Sequence, residues 1–138
     1  MAGQRYERTG IRKGPRAIVL DRKETHMRRT LIVARMEPAD ADSVADIFAD
    51  SDATELPGLV GVTRRTLFHF HDLYFHLAEA ETDVPSRVDE VRQHRLFRDV
   101  SDRLAPYVLP YDPSWRGPRD AMATPFYEWE KGQGGRRV

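Results

Sequence analysis

The chain has 138 residues, with 22 Lys and Arg side chains balanced by 22 Asp and Glu side chains. This length predicts one domain of ordinary size with its own hydrophobic core. The absence of cysteine excludes a disulfide framework and thiolate chemistry, and no apolar run is long enough to span a bilayer. We therefore expect a soluble, cytoplasmic protein with no membrane partner.

The neutral overall charge hides an uneven distribution along the chain. The first 30 residues hold nine basic and three acidic side chains, so the rest holds 13 basic and 19 acidic, a net charge of −6. A body of this charge is not expected to bind nucleic acid. Residues 1–26 lack hydrophobic periodicity, which predicts a disordered basic leader or a mis-assigned start, because Met27 directly precedes the first predicted strand. The alternative is a leader that binds nucleic acid or a membrane surface.

Hydrophobic periodicity divides the remaining chain into six main elements. In order, they are a strand over residues 28–36, a helix over residues 37–50, a two-stranded hairpin over residues 62–78, a second helix over residues 83–104 with a break near His94, and a last strand over residues 122–130. A polar loop is predicted over residues 51–58 and an extended, proline-rich connection over residues 106–119. Residues 27–130 thus form the predicted domain, and residues 131–138 a flexible tail.

The hairpin over residues 62–78 has two unlike faces. Its polar and apolar residues alternate with period 2, and a turn at His71 and Asp72 fixes the pairing of the two strands. One face is then apolar and is predicted to pack under the helices: Thr66, Phe68, Phe70, Leu73, Phe75 and Leu77. The other face gathers a guanidinium, two imidazoles and a phenol and is predicted to lie on the uncovered side of the sheet: Arg65, Leu67, His69, Tyr74, His76 and Ala78.

The element order βαββαβ predicts an α+β, ferredoxin-like fold, with both helices on one face of a four-stranded antiparallel sheet. A second copy of the chain could then close a dimeric α+β-barrel around the polar hairpin face. Fold alone does not identify a function.

Five short blocks carry a resemblance to a known family. They occur in one order at compatible spacing: residues 35–41 (RMEPADA), 54–57 (TELP), 70–74 (FHDLY), 94–97 (HRLF) and 126–129 (FYEW). Over about residues 29–130 the chain resembles the tetracenomycin-type polyketide synthesis cyclases. This resemblance implies a homodimeric α+β-barrel without a cofactor, which performs regiospecific cyclisation and aromatisation of a partly cyclised aromatic polyketide from a type II synthase. Transient contact with components of that synthase is also expected.

The resemblance also assigns the family's pocket residues to positions of this chain. Asp52, Arg65 and His76 match them, whereas Ser51 stands where related cyclases often have histidine. We assign Arg65 to the enolate oxygen, His76 to proton transfer, and Asp52 to orienting a histidine or acting as base. We assign four further residues to substrate binding: Ser51, Leu67, His69 and Tyr74.

Each assignment has a structural alternative. Arg65 could form a rim salt bridge, His76 could be a hydrogen-bonded core imidazole, and Asp52 could be a turn or cap residue. His69, His71, Asp72 and His76 also invite a metal-site interpretation, which we reject because His71 lies in the turn. Two other functions stay open, a cofactor-free anthrone-type monooxygenase and a non-catalytic protein that binds a polyketide and steers its spontaneous folding.

Overall fold

The computed structural model describes residues 27–138, so the predictions for residues 1–26 lie outside the described part. An antiparallel sheet of three strands forms the base of the fold: β1 (Arg28–Arg35), β2 (Val62–Phe70) and β3 (Leu73–Ala80). β3 lies in the centre of this sheet, with β1 and β2 at its sides. Central β3 buries every second residue, as expected for a strand with one face against a core.

Within residues 27–138, four helices cover one face of the sheet: α1 (Ala41–Asp52), α2 (Leu56–Val60), α3 (Val84–Val91) and α4 (Arg95–Leu104). A single 3₁₀ turn, Pro38–Asp40, leads into α1, with proline at its first position where no backbone N–H is needed. The predicted break near His94 is confirmed, since the His94 Nδ1 atom accepts from the Leu96 backbone N–H at 3.0 Å and caps α4.

Both boundaries of the loop predicted over residues 51–58 are wrong, because helices occupy its two ends. α1 continues through Ser51 and Asp52, and α2 begins at Leu56. The apolar residues Ile47 and Phe48 of α1 and Leu56 and Val60 of α2 are all buried, so packing against the core extends helical structure into a polar stretch.

The predicted pairing of the hairpin strands is confirmed at every position. Phe70 lies opposite Leu73, Leu67 opposite His76 and Arg65 opposite Ala78. His71 occupies the turn with a φ of 54°, in the left-handed region that histidine tolerates better than most residues do.

The predicted orientation of the hairpin is wrong, because its two faces are exchanged. Tyr74, His76 and Ala78 are 3%, 8% and 1% exposed and lie under the helices, whereas Phe68 and Phe70 are 51% and 63% exposed. The prediction assumed that the most apolar face must cover the core. The helices instead close over a cavity that the polar face lines, and the apolar face remains uncovered in the single chain.

The prediction of a fourth sheet strand over residues 122–130 is wrong, since the sheet of the described residues has three strands and this segment makes only a short contact with β1. Met122 forms an isolated bridge with Ile32, and the Ala123 N–H donates to the Leu31 carbonyl oxygen at 2.7 Å. Pro125, which has no N–H to donate, follows two residues later and ends the pairing. The chain then forms a separate hairpin of β4 (Glu128–Glu130) and β5 (Gly134–Arg136), the second of which lies in the predicted flexible tail.

The α+β, ferredoxin-like class is confirmed, with an antiparallel sheet covered on one face by helices. Buried apolar residues form two clusters, one including Ile47, Val60 and Val88 and the other including Val44, Phe48 and Tyr74. Within residues 27–138, no helix is both long enough and apolar enough to cross a membrane.

Candidate active site

A cavity of about 410 Å³ lies between the sheet and the helices, and its lining includes members of both core clusters. This volume is within the usual range of small-molecule sites, and the lining is mostly aliphatic. Among the described residues, only a few polar side chains reach it: Ser51, Arg65, Tyr74, His76 and Ser101. An apolar enclosure with a small number of polar groups fixes the orientation of a flat organic ligand.

The junction between α2 and β2 brings Arg65 to this cavity. Gly61 ends α2 with a φ of 92°, and a Cβ atom at this position would collide with the Thr82 side chain. The strand that follows places Arg65 opposite Ala78, a small and fully buried residue. The short side chain of Ala78 leaves room for the Arg65 guanidinium to lie across the inner face of the sheet.

The Arg65 guanidinium is held by two partners on different elements. Its Nε and Nη2 atoms donate to the two carboxylate oxygens of Asp52, at 3.1 and 2.6 Å, in a bidentate ion pair. Its Nη1 atom lies 2.8 Å from Nε2 of His76. The Arg65 side chain is 16% exposed and that of Asp52 is 39% exposed. Through these contacts Arg65, on β2, joins the last turn of α1 to β3.

The contact with Arg65 sets the protonation state of His76. A guanidinium donates hydrogen bonds and cannot accept them, so Nε2 of His76 must be the acceptor and the ring proton must be on Nδ1. Burial, together with the positive charge of Arg65, lowers the pKa of His76 to about 3, although Asp52 opposes this shift. At neutral pH His76 is thus an uncharged imidazole that positions Arg65.

Phe48 is a part of the site that the sequence did not identify. Its ring lies edge-on to the His76 ring, with 5.2 Å between centroids, and the Arg65 guanidinium carbon is 4.8 Å from its centroid. These contacts fix both side chains through packing and a cation–π interaction. The helical spacing of Val44, Ile47 and Phe48 predicted that Phe48 is a core residue. That Phe48 also faces the site follows only from the orientation of the sheet.

Tyr74 is the second buried polar residue on this wall. It is 3% exposed, lines the cavity, and its ring centroid lies 6.4 Å from that of His76. Burial raises the pKa of Tyr74 well above its usual value, and the nearby charge of Arg65 only partly offsets this. The phenol is therefore a neutral hydrogen-bond donor throughout the working pH range.

The structure brings together five of the seven predicted site residues. Arg65, His76, Tyr74 and Ser51 line the cavity, and Asp52 reaches it through Arg65. The other two do not line it: Leu67 packs at the edge of one core cluster, and His69 is exposed. No group of three His, Asp or Glu side chains within residues 27–138 is arranged to hold a metal ion.

Comparison with known proteins agrees with this architecture. The family model described as polyketide synthesis cyclase matches residues 28–130. The chain is 54% identical over 107 residues to the uncharacterized protein SCO5314 of Streptomyces coelicolor, covering 76% of this chain and 96% of that protein. It is 50% identical over 101 residues to tetracenomycin F2 cyclase of Streptomyces glaucescens, covering 73% and 93% respectively.

A solved structure of tetracenomycin F2 cyclase from Streptomyces glaucescens, described as a type-II polyketide cyclase, superimposes with a TM-score of 0.71. The superposition covers 75% of this chain and 97% of that structure, at 48% sequence identity. The family match spans nearly all of the described domain, including both strands of the hairpin and the helices that enclose the cavity. The chain belongs to the polyketide synthesis cyclase family.

Proposed function

We propose that this protein catalyses regiospecific intramolecular aldol cyclisation and aromatisation of a partly cyclised aromatic polyketide made by a type II synthase, without a cofactor. The similarity to a protein named tetracenomycin F2 cyclase supports the substrate class. The observation that carries the proposal is the Arg65 guanidinium, which Asp52 and an uncharged His76 hold at the wall of an apolar cavity.

The proposed reaction begins at a methylene between two carbonyl groups. This carbon loses a proton, and the resulting carbanion, drawn as an enolate, attacks another carbonyl carbon of the same molecule to form the new C–C bond. The attacked oxygen takes the electron pair of its former double bond and then a proton. Loss of water gives the aromatic ring, so the substrate yields the product and one water molecule. Holding the two carbons in contact contributes on the order of 7–11 kcal/mol, more than any single acid or base.

Arg65 is assigned to stabilise the enolate oxygen. A guanidinium has five N–H groups, and three of them bind Asp52 and His76, which leaves two without a partner in residues 27–138 to bind the substrate. Because the partners fix its orientation before the substrate arrives, little reorganisation is needed when charge develops on the oxygen. An aliphatic lining with few competing dipoles strengthens this interaction.

The geometry favours a positioning role for His76 over proton transfer. Its Nε2 lone pair is occupied by Arg65, and a pKa near 3 makes it a weak base at neutral pH. We assign proton acceptance to Asp52 by way of one water molecule, because Asp52 does not itself line the cavity. Its carboxylate oxygens each retain a second acceptor site and its side chain is 39% exposed, so the proton can pass to solvent. Ser51, next to it on α1, lines the cavity and would contact the substrate.

The experiment that tests this function compares products of a minimal type II polyketide synthase expressed with and without this protein. We expect a new cyclised product with the wild-type protein. Arg65→Leu should lower turnover by about 10²–10³ with little change in substrate binding, as for loss of an oxyanion donor. Arg103→Leu is the matched control, since it breaks an exposed ion pair with Asp50 outside the cavity, and it should retain wild-type turnover.

Three results of this experiment would contradict parts of the proposal. Unchanged products with the wild-type protein would contradict cyclase activity. Consumption of oxygen in step with product formation would indicate the monooxygenase alternative. Wild-type turnover in a correctly folded Arg65→Leu variant would leave only a protein that steers spontaneous folding of the polyketide.

The rate is expected to be insensitive to the ionisation of His76 from pH 5 to pH 8. A group that must be deprotonated loses its contribution as pH falls through its folded-state pKa, which for His76 is about 3. His76→Gln should keep an acceptor for Arg65 and leave the shape of the pH–rate profile unchanged, whereas His76→Leu should lower the rate at every pH. A wild-type transition near pH 6.5 that disappears in His76→Gln would show that His76 transfers the proton after all.

We also propose that the chain forms a homodimer through the uncovered face of the sheet. Phe68 and Phe70 project from this face with more than half of their surfaces exposed, and burial of such a patch favours association. Light scattering at micromolar concentration should report twice the monomer mass of 15.9 kDa. Phe68→Glu should shift the protein towards monomer, and Ala49→Glu, on the exposed surface of α1, should not. A wild-type monomer would contradict this proposal.

A cytoplasmic location and transient contact with components of the polyketide synthase remain predictions.

A further inference from the structure

Tyr74 lies on the covered face of the sheet and is 3% exposed as a whole residue. Within residues 27–138 no side chain or backbone group hydrogen bonds to its hydroxyl, although buried phenols usually find such a partner. The hydroxyl is not sealed within the protein, because the single buried and unpartnered side-chain atom among the described residues is Nε of Arg87. Tyr74 lines the cavity, so its hydroxyl is available to a bound molecule.

The position of Tyr74 relates it directly to Arg65. Tyr74 and His76 alternate along β3, so both side chains project from the inner face of the sheet, and their ring centroids are 6.4 Å apart. His76 in turn holds the Arg65 guanidinium. Two hydrogen-bond donors, one cationic and one neutral, therefore lie on the same wall of the cavity with the His76 ring between them.

We infer that Tyr74 is a second catalytic donor, which binds one oxygen of an enolised 1,3-dicarbonyl unit while Arg65 binds the other. The inference deepens the proposed function and rests on it. Removal of the methylene proton spreads negative charge over the two flanking oxygens, and a donor at each one stabilises the enolate more than the neutral diketone. The phenol supplies a hydrogen bond and keeps its proton throughout.

This arrangement also selects the substrate. A ligand without an oxygen opposite Tyr74 would bury the phenol against carbon and leave its hydroxyl without a hydrogen bond, which disfavours binding of that ligand. The Arg65 and Tyr74 pair therefore favours a reacting unit with oxygens on both sides of the nucleophilic carbon. The aliphatic remainder of the cavity suits hydrocarbon or aromatic portions of the same molecule.

The test is to replace Tyr74 with Phe, which removes the hydroxyl and keeps the ring that packs in the core. Cyclisation by the purified protein should slow by about 10-fold to 10²-fold in kcat, with KM changed less than kcat. Tyr107→Phe is the matched control, because Tyr107 packs against both core clusters but does not line the cavity, and it should stay within about 2-fold of wild type. Thermal unfolding checks that both variants fold.

A second measurement uses 2-acetyl-1-naphthol, an aromatic probe whose phenol and neighbouring carbonyl present two oxygens as an enolised dicarbonyl does. Absorbance titration should show a lower apparent pKa for this phenol in the presence of wild-type protein than in buffer. The lowering should be smaller with Tyr74→Phe and unchanged with Tyr107→Phe. A wild-type protein that does not alter this pKa would contradict the two-donor site.

The outcomes separate this inference from the proposed function. Wild-type kcat in a folded Tyr74→Phe variant would overturn the role of Tyr74 and leave the cyclase activity standing. A wild-type protein that produces no cyclised product would contradict the proposed function, and this inference with it.

Discussion

A largely buried guanidinium at the wall of an apolar cavity is the constraint on which the rest of the site depends. Moving this charge out of water is costly unless the structure supplies partners with good geometry. Here Asp52 supplies the counter-charge from the end of α1, and His76 supplies a neutral acceptor from the centre of the sheet. The ring of Phe48 completes the enclosure. Removing any partner leaves part of the charge unsatisfied, so the side chains that position Arg65 are coupled to one another and to the packing of α1 on the sheet.

The cavity explains why the sheet carries its polar residues on the covered face. A domain of this size usually fills the space between sheet and helices with apolar side chains. This chain leaves about 410 Å³ unfilled and places Arg65, Tyr74 and His76 there, while Phe68 and Phe70 are exposed on the opposite face. Both features cost stability in an isolated chain, the cavity through lost packing contacts and the aromatic face through exposure to water. Association of two copies through the aromatic face would recover part of that free energy, and a bound substrate would recover the other part.

Local patterns predicted much of the fold and rather less of the site. The period-2 alternation and the turn at His71 were enough to predict the register of the hairpin, because register depends on residues that are close in sequence. Which face packs under the helices depends on the shape of the whole core, and the rule that apolar residues lie inside predicted the wrong face. The register alone placed Arg65 and His76 on the same face of the hairpin. The contact of Arg65 with Asp52 required the continuation of α1 through residue 52, which the polar sequence there did not indicate. Leu67 and His69 share a strand with Arg65, but strand position alone does not decide which side chains reach a cavity.

The most direct test of this account is the protonation state of His76, measured by ¹⁵N NMR of the imidazole ring in the folded protein. We expect a neutral ring with its proton on Nδ1 and an unprotonated Nε2 that accepts from Arg65, unchanged from pH 8 to pH 5. In Arg65→Leu the same ring should lose this fixed tautomer, because the donor to Nε2 is gone. A wild-type imidazolium at pH 5, or a proton on Nε2 at neutral pH, would contradict the arrangement of Arg65, Asp52 and His76 that underlies the proposed chemistry.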